Sequence, residues 1–123
     1  MTTSGRRPPT VLIVEDIDWI RAGMKRSVEQ HGHRALESAD DAEAVETAER
    51  EAPELILTEE ALPTFAALLA RVRAHPALHI IPVVIINPDA DEHTHYDAAI
   101  VLTGYEHLAS LLPRPETLPN NKQ

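Results

Sequence analysis

The sequence predicts an α/β domain built on a doubly wound, five-stranded parallel sheet with helices on both faces. Three observations carry this. Short continuous apolar runs recur at residues 11–14, 55–57 and 80–86, as strands buried on both faces require. Stretches with apolar residues at helical spacing lie between them. The first run ends at once in Glu15-Asp16 and the second, after Thr58, in Glu59-Glu60, paired carboxylates at the sheet edge where open α/β folds bind ligands.

Taken in order, residues 1–9 are small, polar and proline-containing and read as a mobile leader. Val11-Leu12-Ile13-Val14 is the first strand. Asp18 can cap the following helix, whose Ile20, Met24 and Val28 recur at helical spacing, and Gly32 sits where a left-handed stop is wanted. Residues 34–38 are mixed in polarity, as an edge strand should be. Asp40 and Glu43 form a capping pattern that opens a second helix burying Ala44, Val45 and Ala48.

The third strand follows at Glu54 and delivers Glu59 to its carboxyl end. Thr64 can cap a third helix carrying Phe65, Leu68, Leu69 and Val72. Residues 80–86 form the fourth strand, with Pro82 tolerable only near its start. Residues 89–96 should hold a helix by the alternating pattern, yet they lack an apolar stripe, so a short, frayed or irregular fourth helix is expected. Residues 98–102 are the fifth strand. Thr103 opens a last helix burying Leu108, Leu111 and Leu112, and Pro113, Pro115 and Pro119 then end regular structure.

At 123 residues the chain is one domain, spanning 10–113, with a flexible proline-containing tail at 114–123. A net charge of -9 argues against a nucleic-acid surface, which needs cations to replace condensed counterions. The expected partners are proteins with basic or apolar faces. The absence of cysteine excludes disulfides and thiol chemistry and suits a reducing cytoplasm. No apolar h-region follows Arg6 and Arg7, and no run is long enough to span a bilayer, so a soluble cytoplasmic protein without a membrane partner is expected. His93 and His95 have a chelating spacing, but a zinc site needs three or four converging ligands and no second cluster offers them.

Residues 53–63 read Pro-Glu-Leu-Ile-Leu-Thr-Glu-Glu-Ala-Leu-Pro. This resembles the third strand of the response-regulator receiver domain family, whose usual form is Pro-Asp-Leu-Ile-Leu-Leu-Asp, three residues, then Pro, the last Asp accepting a phosphoryl group. The resemblance runs from about Thr10 to Leu112. It implies a flavodoxin-like sheet of order 2-1-3-4-5.

The resemblance also implies a pocket. Family members hold magnesium with an acidic pair after strand one and the phosphoacceptor Asp, and contact the phosphoryl oxygens with a Ser or Thr after strand four and a Lys after strand five. Here the acidic pair is Glu15 and Asp16, the acceptor position holds Glu59, the hydroxyl position Asn87 and the lysine position Gly104. The aromatic switch residue of strand five matches Val101, and Tyr105 replaces the proline whose cis peptide the family keeps.

Each replacement has a chemical consequence. Glu59 displaces the carboxylate by up to ~1.5 Å, one C–C bond, and misplacement of about an ångström costs roughly a hundredfold in rate. Loss of the lysine removes the cation that neutralises the phosphoryl group. Glu15, Asp16 and Glu59 then repel one another, by about 4 kcal/mol per pair 4 Å apart at an effective dielectric of 20. A bound cation, a raised carboxyl pKa or water relieves this, which leaves room for weak magnesium binding at the three carboxylates. Glu59 either imitates a phosphorylated state or is tolerated at a solvated strand end; the second is preferred, because Glu brings one charge against about two for a phosphoryl group.

The reading is therefore an atypical, pseudo-receiver module of bacterial two-component signalling, not an enzyme, acting through protein contacts without phosphorylation. The resemblance implies docking, self-pairing included, through the face of helix four, strand five and helix five. The alternative is a receiver still switched at its acidic pocket by magnesium-dependent phosphorylation on Glu59 or by a small ligand. Trp19, beside the acidic pair, either covers the core or anchors a contact; burial is the commoner fate of so large an apolar area.

Overall fold

The computed structural model describes residues 8–96, 99–104, 106 and 108–111. Five strands, β1 (Thr10–Val14), β2 (Arg34–Ser38), β3 (Leu55–Glu59), β4 (Val83–Ile86) and β5 (Ala99–Leu102), form one parallel sheet of order β2-β1-β3-β4-β5. Helices α1 (Asp18–Gln30), α2 (Asp41–Glu51), α3 (Phe65–Ala74) and α4 (Leu108–Leu111) complete the described elements. This is the flavodoxin-like arrangement.

Strand alternation divides the core in two. Leu12, Val14, Ile56, Val83 and Ile85 meet Ala44, Val45 and Ala48 of α2 and Leu68 and Val72 of α3 on one face. Val11, Ile13, Leu57, Val84 and Ile86 meet Met24 and Val28 of α1 and Leu108 of α4 on the other. Strands β1 and β4 are buried throughout, and so is β3 as far as Thr58, which is why they read as continuous apolar runs. Two hydroxyls enter this core at the strand ends without an unmet bond. Thr58 Oγ1 donates to the Val14 carbonyl (3.0 Å) and Ser38 Oγ to the Ile13 carbonyl (2.9 Å).

Several element ends differ from the sequence expectation, each for a local reason. Asp18 is the first residue of α1 rather than its cap; Ile17 holds the cap position and no side chain caps the helix there. Asp18 instead accepts from Arg21 Nη2 at 2.6 Å. Thr64 does stand at the cap position of α3, but its hydroxyl serves the Asp41 amide at the start of α2 (3.2 Å) rather than its own helix. β4 begins at Val83, not residue 80, because Pro82 has no N–H to donate and the chain before it is folded into turns. Ile80 is consequently 76% exposed.

Asp40 caps α2 as expected, accepting from Glu43 N at 2.9 Å, while Glu43 Oε1 reaches back to the Ala39 amide. Gly32 has φ 85, the left-handed value expected after α1. Ala52, ending α2, also lies in the left-handed region with φ 49, a position that favours glycine. Between β4 and β5 the described residues 87–96 form turns and no helix, the irregular extreme of the expectation. β5 starts at Ala99 and α4 is four residues long, with Leu108 buried and Leu111 half-buried. Tyr105, Leu112, the first seven residues and the tail lie outside the described residues, as do the expectations placed on them.

Candidate functional site

Parallel register brings the strand ends to one edge of the sheet. Val14 pairs with Thr58, Glu59 with Ile86 and Ile86 with Leu102, so Glu15, Glu59, Asn87 and Gly104 all follow or finish strands along that edge. The acidic group sits over β1 and β3. Glu15 is only 2% exposed. Its Oε2 accepts from the Ile17 amide at 3.0 Å, while Oε1 meets no donor among the described residues.

Burial is the main reason that the Glu15 carboxyl is pushed up from its ordinary 4.5 to about 7, with the neighbouring carboxyls of Asp16 and Glu59 adding to the rise and the Ile17 N–H opposing it. Near neutrality the carboxyl is therefore shared between its acid and charged forms. Asp16 is exposed and Glu59 half-buried.

Arg21 fixes the loop that carries this group. Its Nη1 donates to the Glu15 carbonyl at 2.8 Å and its Nε to Glu37 Oε1 at 3.2 Å, tying the loop to edge strand β2. The guanidinium thus holds the main chain of Glu15 rather than neutralising its carboxylate. Sequence reasoning missed this residue; its only signal was an Arg three positions after an acid on one helix, the spacing of a helical ion pair.

Asn87 is held by two local hydrogen bonds. Its Oδ1 accepts from the Asp89 amide (3.0 Å) in a local turn, and its Nδ2 donates to the Tyr96 hydroxyl (3.0 Å). Tyr96 in turn meets Phe65 of α3 edge-on, ring centroids 5.1 Å apart at 81°. Val101 lies half-buried in β5, paired with Ile85. At Gly104 an added Cβ would come within 2.5 Å of Glu106 Oε1, the far end of a flexible side chain, and the backbone there is not left-handed. Nothing in the backbone therefore forbids a larger residue.

The hard oxygens of Glu15, Asp16 and Glu59, with the orphan Oε1 of Glu15, are chemically suited to a hard cation. Among the described residues, however, no three His, Asp or Glu side chains converge closely enough to hold a metal ion, and His93 and His95 are both exposed. The oxygens fit magnesium in kind but not in their present spacing.

Trp19 is 77% exposed, against the burial expected of it, and Ile17 beside it is 43% exposed. The indole borders a groove of about 600 Å³ along α1, lined also by Ile20, Gly23, Met24, Arg26, Ser27 and Glu59. Among the described residues no helix is long and apolar enough to cross a membrane.

No protein-family model matches the chain, and no curated protein matches it. Solved structures do. A chemotaxis response regulator of Vibrio cholerae crystallised at low pH superimposes with a TM-score of 0.73 at 18% identity, covering 85% of this chain and 94% of its own. The receiver domain of a sensor histidine kinase from Pseudomonas aeruginosa, crystallised with magnesium coordinated in its active-site cleft, gives 0.71 at 22% identity over 85% and 92%. A response regulator from Chloroflexus aurantiacus gives 0.63 at 25% identity over 70% and 72%. The structural neighbours are thus response-regulator receiver domains, and the fold is theirs.

Proposed function

We propose that the chain is an atypical receiver module of bacterial two-component signalling, cytoplasmic, working through protein contacts and without a phosphorylation cycle. One observation carries the reading. Asn87, at the position where the resemblance puts the phosphoryl-sensing hydroxyl, has its amide engaged on both sides, by Asp89 N and by Tyr96 Oη. Turning it toward a phosphoryl group on Glu59 would give up both bonds, each worth about 1 kcal/mol.

The other positions agree with it. Glu59 is longer than Asp, Gly104 offers no cation, and Val101 is no aromatic that could swing inward. The expected partners are proteins, a second copy included. The surface around β5, where Ile100 is 40% exposed, corresponds to the docking face that the resemblance implies.

The test is incubation with a small phosphodonor and magnesium, followed by a phosphate-affinity gel. An unshifted band is expected. A shifted band that disappears in Glu59→Gln would overturn the reading in favour of the second one, in which the pocket takes magnesium and a phosphoryl group on Glu59, or a small ligand. The orphaned Oε1 of Glu15 is what favours that alternative.

A further inference from the structure

Helix α3 is held on two sides and open on a third. Leu68 and Val72 are buried in the core, and Arg71 pairs with Asp41 of α2. On the remaining side, beside the turns of residues 87–96, a groove of about 360 Å³ runs between Phe65, Ala66, Leu69, Ala70 and Arg73 of α3 and the Tyr96 ring. Phe65, Leu69 and Tyr96 are half-buried and also pack against the core, so only their outer edges serve the groove; Ala66 and Ala70 are exposed.

The lining has a pattern of its own. Ala66, Leu69, Ala70 and Arg73 stand at i, i+3, i+4 and i+7, one stripe of the helix in which small and large side chains alternate. Among the described residues no acidic side chain lines the groove, in a chain that carries 20 acids and a net charge of -9. The lining's one charge, Arg73, stands near the end of α3, while the Phe65–Tyr96 edge pair stands at its start. Such a surface is complementary to itself when reversed.

We propose that this groove is a self-association site, across which a second copy of the chain lays its own α3 antiparallel. Turned about a two-fold axis between Leu69 and Ala70, each Leu69 meets the partner's Ala70 and each Arg73 the partner's Ala66, so that every large side chain faces a small one. Each guanidinium then lies over the partner's Phe65 and Tyr96 rings, a cation–π contact. Arg73 Nη1 already donates to the His79 carbonyl at 2.6 Å, and stacking on the guanidinium plane leaves that edge bond in place. A parallel pair would set the two arginines against each other instead. The net charge opposes association only at long range, and salt near 0.15 M screens it beyond about 8 Å.

The inference rests on the reading of the chain as an interaction module and names a second copy as its partner. The surface is distinct from that around β5, no residue of which lines the groove. Sedimentation velocity of the full chain in about 0.15 M salt, from about 1 µM to about 1 mM, should show monomer passing to dimer, the range suited to a contact at the small end of interface sizes. Ala70→Glu and Ala70→Lys, at an exposed position, each set like charges beside the two-fold axis. Each should weaken the dimer at least about tenfold with far-UV circular dichroism unchanged, and an equimolar mixture of the two should recover it. Ile100→Asp, on β5, should dimerise as the parent does.

Monomer at every concentration would overturn the proposal and leave the groove to a helix of another protein. So would a dimer that survives Ala70→Glu, or one that Ile100→Asp dissolves. Should either Ala70 variant fail to fold, the other decides alone. A phosphorylated chain that dimerises through α3 loses only the phosphorylation-independent reading, whereas an unphosphorylated monomer loses only this one.

Discussion

Replacing Glu15 by Gln should stabilise the protein, and the gain should depend on pH. In the unfolded chain this carboxyl loses its proton near its ordinary 4.5, whereas in the fold it holds it to about 7. Between those values the unfolded state binds fewer protons than the native one, so stability falls as pH rises through the window and is level above it. At about 1.4 kcal/mol for each pH decade, the cost reaches at most about 3 kcal/mol.

Gln keeps an oxygen for the Ile17 amide and sheds the charge. Urea unfolding followed by circular dichroism, in chelator-treated buffers, should give nearly equal stabilities for parent and Glu15→Gln at about pH 4.5. The variant's advantage should then grow to a plateau by about pH 8, equivalent to roughly 10 °C in Tm for 3 kcal/mol. A difference between the two proteins that is the same at every pH would refute the reasoning, because the burial of an ionising carboxyl could not then be its source.

Three further outcomes follow from the geometry. Ala52→Gly, which relieves the left-handed φ of 49 at the end of α2, should raise stability by about 0.5–1 kcal/mol in chemical denaturation, after allowing for the greater freedom of glycine in the unfolded chain. Asp40→Ala removes the acceptor for Glu43 N and should cost about 1 kcal/mol, read as a lower Tm. Tyr96→Phe keeps the edge contact with Phe65 but strips the acceptor from Asn87 Nδ2, and should lower stability by about 0.5–1.5 kcal/mol while leaving far-UV circular dichroism unchanged.

The sheet was legible because burial on two faces leaves a plain mark: residues 11–14 and 55–57 have little freedom to be other than apolar. The acidic cluster was legible for a related reason, since carboxylates directly after such runs must emerge at the strand ends. What escaped the sequence was set by distant partners. Thr64 caps nothing on its own helix because the Asp41 amide, 23 residues earlier, claims its hydroxyl. Asp18 yields its capping role while Glu15 takes the Ile17 amide and Arg21 takes Asp18. The link from Asn87 to Tyr96 joins residues whose intervening segment carries no periodic signal. Trp19 went the other way from its expectation: its large apolar area argued for the core, yet the indole is 77% exposed.

The irregular crossover after β4, which forms turns across the described residues 87–96, governs how the molecule comes apart. With no i-to-i+4 ladder described across residues 87–96, that crossover depends on its turns, on Asn87 and on the seating of Tyr96, while β5 has only β4 as a sheet neighbour. Amides of residues 89–96 and 99–102 should therefore exchange with solvent as a unit, through an opening well below the global unfolding free energy. The remaining four strands would stay closed while it happens, so this margin would loosen long before the acidic end of β1 and β3.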